Sequence, residues 1–137
     1  MTKLRLTAAA FSLFASQSCA SVDKVIVAQP DVAFSLPVGK TATVNGSPSR
    51  LTFTQVRADS RCPTSVVCVW AGDASIELSL SREGSGPETA VLSLSSPGNE
   101  ARIGDFLVRF VSLAPYPATP EPNAPRRYVA ELVIRRL

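Results

Sequence analysis

ASIELSLSREGSGPETAVLSLS, residues 74–95, is the stretch whose reading decides the fold. Ala74, Ile76, Leu78 and Leu80 alternate with Ser75, Glu77 and Ser79, a period of two that puts one face of a strand in a core and the other in water. Ala90, Leu92 and Leu94 repeat the pattern against Thr89, Ser93 and Ser95. Between the two runs, Glu83-Gly84-Ser85-Gly86-Pro87 supplies turn chemistry, so the stretch is predicted to be a β-hairpin.

Working outward, 38–45 and 51–57 form a second strand pair around Asn45-Gly46-Ser47-Pro48. Residues 103–113 carry apolar side chains on both faces and are predicted to form one longer, central strand. In 127–135, Tyr128, Ala130, Leu132 and Ile134 are placed inward. No helical periodicity competes with these runs. Short strands with Gly and Pro punctuation predict an all-β chain, a single antiparallel β-sandwich or barrel-like domain of about seven strands. Residues 114–126, APYPATPEPNAPR, hold five prolines in thirteen positions and are predicted to be a stiff loop, because proline lacks the donor that a central strand needs.

Residues 1–20 have the parts of a secretory signal: basic Lys3 and Arg5, an apolar run at 6–15, and a polar exit at 16–20. The apolar run is shorter than the roughly 20 residues that a membrane span requires. The expected mature domain is therefore 21–137, exported to the periplasm or secreted. Two processing routes are open. Ser18 and Ala20 suit cleavage before Ser21, whereas Cys19 offers lipidation, which would make an outer-membrane or cell-surface lipoprotein; Ser16 and Gln17 depart from the usual lipobox. A membrane role is expected only through a lipidated Cys19.

The leader contains two of the 14 basic residues and none of the 11 acidic ones, so the expected mature chain is close to neutral, with 12 basic residues against 11 acidic. Basic and acidic residues are interspersed, and no nucleic-acid partner is expected. The chain has no histidine, which removes the commonest general base, the usual triads and most zinc hydrolase sites. No enzyme activity, cofactor or metal is predicted.

The most distinctive local feature is the loop near 59–74, DSRCPTSVVCVWAGDA. In an oxidising compartment Cys62 and Cys68 are expected to form a disulfide, and closing so short a ring is worth about 2 kcal/mol. The five intervening residues do not match the two of a thioredoxin-type redox pair. Pro63 keeps Cys62 extended, and Thr64-Ser65 makes the bend. Cys68 and Trp70, two apart in an expected strand, share a face, so Trp70 is predicted to cover the disulfide and seal an edge of the core; an exposed ring for ligand contact is the alternative. Arg57, Asp59, Arg61 and Asp73 alternate in sign and are read as local ion pairs or caps, with a calcium ion between Asp59 and Asp73 as the alternative.

DSRCP, followed by Val67-Cys68-Val69-Trp70-Ala71-Gly72, resembles a signature of small exported bacterial proteins and lipoproteins, a largely uncharacterised group. Leu113-Ala114-Pro115-Tyr116-Pro117 and Tyr128-Val129-Ala130-Glu131-Leu132 are similar to the same group. The resemblance implies export and a single domain and assigns no activity. The expected function is that of a cell-envelope binding or structural module. Its partner is expected to be an envelope protein or polymer, met through the stapled loop, with Asp59, Arg61, Pro63, Trp70 and Asp73 as candidate interaction residues. A small protease inhibitor presenting Arg61 beside the disulfide is the alternative, and a histidine-free enzyme the least favoured.

Overall fold

A computed structural model describes residues 24–120 and 126–137. The segment expected to be a leader, with Cys19, and positions 121–125 of the proline-rich loop lie outside the described residues.

The described residues form nine strands: β1 Ile26–Ala28, β2 Ala33–Pro37, β3 Thr41–Val44, β4 Arg50–Asp59, β5 Ala74–Arg82, β6 Ser85–Ser93, β7 Glu100–Ile103, β8 Phe106–Ala114 and β9 Val129–Arg136. They make two sheets, in the order β1-β3-β4-β5-β6 and β2-β9-β8-β7. Every pairing is antiparallel except β1 with β3, which is parallel. The alternating positions meet between the sheets: Leu51, Phe53, Ile76, Leu78 and Leu92 from one, and Leu36, Val108, Phe110, Leu132 and Ile134 from the other, are all buried. Burial of these side chains at about 25 cal/mol per Å² of apolar surface is the main favourable contribution to folding.

The predicted hairpin at 74–95 is present, with Ile76 opposite Leu92 and Leu78 opposite Ala90. The all-β sandwich is as expected, but the strand count is nine rather than about seven. Part of the difference is that 103–113 is not one strand. Gly104, at φ 57°, and Asp105 make a two-residue turn that joins β7 to β8, with buried Ile103 and Phe106 paired across it. Glycine first in a two-residue connection suits a type II′ turn, and the apolar residues on either side concealed it. The other unanticipated strands, β1 and β2, are only three and five residues long.

A second correction concerns 60–73, which contains no strand. β4 carries irregularities at 53/55 and 56/58, where its alternation of buried and exposed residues is lost. Such bulges bend and twist a strand and re-aim the chain beyond them. The chain leaves the sheet at Asp59 as a loop and rejoins it at Ala74.

Candidate functional site

The legs of this loop are clasped by backbone hydrogen bonds from Ser60 N to the Asp73 carbonyl (2.7 Å) and from Cys62 N to the Ala71 carbonyl (3.0 Å). Asp73 Oδ1 accepts from the amides of Ala74 and Ser95, so this carboxylate caps the start of β5 and ties it to the end of β6. Above the clasp, Cys62 and Cys68 are joined as a disulfide. Val66 N bonds the Pro63 carbonyl around the Thr64-Ser65 bend, as expected.

Beneath the ring lies Arg61, whose residue surface is only 7% exposed. Its Nε and Nη2 donate to the two Asp59 oxygens at 2.8 Å each. Nη1 donates to the Leu113 carbonyl at 2.6 Å, and Nη2 also donates to the Pro115 carbonyl at 3.0 Å. The guanidinium carbon stands 4.8 Å from the centre of the Tyr116 ring, close enough for a cation–π contact. Asp59 Oδ2 further accepts from the Tyr128 hydroxyl at 2.9 Å, and Arg126 Nη1 approaches it at 3.5 Å. Arg61 thus uses the planar fork of a guanidinium to tie β4 to the proline-rich segment, which a lysine has too few fixed donors to copy.

Burial pushes the Asp59 carboxyl up, but hydrogen bonds from Arg61 and Tyr128 and the Arg61 charge outweigh it, so its pKa is held below the ordinary 3.8. An acid whose folded pKa is depressed contributes stability that is whole above its unfolded value and lost as pH falls through the folded one. Urea midpoints are therefore expected to show this contribution undiminished at neutral pH and declining once pH drops below about 3.8. In an Asp59→Asn/Arg61→Met double variant that part of the acid slope should vanish, and an unchanged slope would refute the assignment.

The two loops also meet through the main chain. Thr64 N bonds the Pro117 carbonyl (3.1 Å) and Ser65 N the Ala118 carbonyl (3.2 Å), while Pro117 is buried. The ring is therefore fixed at its disulfide, at its clasp, and along one flank by the proline-rich segment. The cleft between the loops, bordered by Ser60, Pro63, Thr119 and Arg126, encloses about 210 Å³. Small-molecule sites generally measure about 300–1,000 Å³, so this cleft is a seam between loops and not a ligand pocket.

Besides the polar Thr64 and Ser65, the loop exposes apolar residues, Val66 and Val67 in the ring and Val69 and Trp70 on the leg that follows it. Val67 is fully exposed, Val69 is 92% exposed and Trp70 82%, with Val66 and Tyr116 about half exposed nearby in sequence or beside Arg61. The predicted burial of Trp70 is overturned: without a strand at 68–70 no pleat turns it inward, and it seals none of the core. Of the sequence-derived candidates, Trp70 lies at the exposed end, and Asp59 and Arg61 are the buried support. Pro63 is half-buried in the ring, and Asp73 is a cap at its base.

An inhibitor loop presenting Arg61 to a protease is incompatible with this burial. The calcium alternative is also overturned, because Asp59 faces Arg61 and Tyr128 while Asp73 faces backbone amides. Among the described residues no group of three or more acidic or cysteine side chains is placed to hold a metal. Sequence reasoning missed Tyr128 and the carbonyls of Leu113 and Pro115 as partners of the acid–base pair, since their separations of 52 to 69 residues leave no local signal. Val67 and Val69 were missed too, for a run of β-branched residues beside an aromatic reads as strand. Comparison with protein-family models, curated proteins and solved structures finds no match for the chain.

Proposed function

We propose that the protein is an exported cell-envelope binding module that engages a partner protein through the apolar tip of its stapled loop, Val67 in the ring and Val69 and Trp70 just after it. The observation that carries this reading is the exposure of Val67, Val69 and Trp70 together on a loop whose base is locked. A soluble domain leaves single apolar side chains at its surface for no particular reason, but two valines and a tryptophan exposed between positions 67 and 70 favour a contact surface. Because the disulfide, the clasp and Arg61 already fix the backbone, little ordering entropy is lost when the tip docks into an apolar pocket. Tryptophan is among the residue types that most often dominate such contacts. Export rests on the sequence features of 1–20, and the absence of histidine supports a binding role over a catalytic one.

The test uses the full-length chain expressed with its leader and recovered from the envelope fraction. Intact mass should show loss of the leader and of two hydrogens per molecule. Trp70→Ser and Val67→Ser should leave thermal stability unchanged within about 0.5 kcal/mol, since neither side chain is packed. They should reduce crosslinking to the envelope partner by about 30-fold for Trp70, the equivalent of roughly 2 kcal/mol at a binding hot spot. Equal crosslinking by wild type and both variants would remove the tip from any binding role.

A further inference from the structure

At the other end of the sandwich, the outer face of the five-stranded sheet carries a feature that does not depend on the stapled loop. Thr41 pairs with Thr52 and Thr43 with Arg50 across β3 and β4, and Arg50 with Ser81 across β4 and β5. Their partners in the alternation, Ala42, Leu51 and Leu80, are buried, so these polar side chains face outward as cross-strand rows. Thr41 and Thr52 hydroxyls bond each other at 2.8 Å. Together with the segment at Lys24 and the turn at Lys40 they line a groove of about 810 Å³.

Lys24 and Arg50 line this groove alongside the hydroxyls of Thr43, Thr52 and Ser81, and none of its described lining residues is acidic or aromatic. It continues past Arg50 and Ser81 into a second hollow of about 440 Å³ at Arg82 and Glu83. Neither Lys24 nor Arg50 has an ion-pair partner among the described residues. On a chain whose mature net charge is expected to be near zero, this is a local concentration of positive charge.

We propose that this groove binds an anionic polysaccharide. Charge selects a polyanion, and two hollows that adjoin at Arg50 and Ser81 suit consecutive units of a linear chain. Hydroxyls along the floor match the donors and acceptors of sugar rings. A single-stranded nucleic acid would call for aromatic side chains on which bases stack, and the groove's lining has none. Arg50 is central, since it borders both hollows. β4 runs from Arg50 to Asp59, so the groove and the stapled ring are separated by roughly 30 Å, at about 3.3 Å per residue.

The test is retardation of the mature protein in native gels containing alginate at about 50 mM ionic strength. Neutral dextran, oligothymidylate and phosphatidylglycerol vesicles are the comparison ligands. Alginate alone should bind, with retardation largely lost at about 300 mM ionic strength. Lys24→Gln and Arg50→Gln should each weaken it about 3-fold and together about 10-fold, as exposed charge contacts do. Arg102→Gln/Arg127→Gln, which removes the same charge from the other sheet and its approach, should bind like wild type. The proposal is overturned if alginate does not bind, if the control pair weakens binding equally, or if the oligonucleotide or vesicles bind as tightly through Arg50. Trp70→Ser should not alter alginate binding, which keeps the outcome separate from that of the ring.

Discussion

Arg61→Ala is expected to lower the unfolding free energy by roughly 3 kcal/mol, the low end for breaking a buried ion pair, because Asp59 loses its two-pronged partner and keeps only Arg126 and Tyr128. The substitution strands Asp59, whose side chain is only 6% exposed, with Tyr128 and a distant Arg126 contact. It also deprives the Leu113 and Pro115 carbonyls of their guanidinium donors. Domains of this size have a total stability of about 5–15 kcal/mol, so the variant should lie close to the edge of folding at 37 °C. Arg61→Lys should recover only part of the loss, since an ammonium cannot grip both carboxylate oxygens and two carbonyls at once. Urea denaturation of Arg61→Met, Asp59→Asn and the double variant gives the coupling directly: the double should be less damaging than the sum of the singles. A loss below about 1 kcal/mol for Arg61→Ala would mean that the pair is only a surface contact.

The second large effect is expected at Gly72. Its φ is +71°, and a Cβ built there would overlap the Ser60 carbonyl on the opposite leg of the loop. Gly72→Ala therefore combines a disfavoured backbone conformation with a collision of the new Cβ against the main chain of Ser60, which no rotamer change relieves. We expect a loss of about 3 kcal/mol, against the 1–2 kcal/mol usual for placing an L-residue in the left-handed region. Gly84→Ala is the control, because Gly84 has nearly the same φ, +77°, with nothing near the added atom. If both variants lose the same stability, the close approach at Gly72 contributes nothing. Both Arg61 and Gly72 act at the base of the ring, so their variants should also blunt any binding measured at Trp70, although neither touches a partner.

The legible parts of the structure were those that depend on local alternation. The hairpin at 74–95 is found with its expected inward face at Ala74, Ile76, Leu78 and Leu80, and the strand pair expected within 38–57 is present as β3 and β4. The turn at Gly104 was hidden because Ile103 and Phe106 continue an apolar run across it, and only pairing with a neighbouring strand shows that the chain reverses there. Trp70 was misplaced for the related reason that Val-Cys-Val-Trp has strand propensity with no sheet to join. For the candidate site, the sequence marked the right segment and the right acid–base residues but inverted their depth. Alternating charge in a loop suggests solvent, whereas Arg61 is buried beneath it. The carbonyls that allow this burial come from a segment more than fifty residues away, and no local pattern encodes them.

The two sheets differ in how far apart in the chain their members lie. Strands β3 to β6 succeed one another and can zip as neighbours while the polypeptide is still emerging. β2 has no such option, for its partner is β9, with Ala33 opposite Val133. Distant pairings are slow to form because a long loop must close before any contact offsets the lost entropy. A nascent chain thus keeps its four-stranded half open until Val129–Arg136 has emerged. Until β9 arrives, β2 lacks the neighbour that holds it and the domain cannot acquire its rigid shape.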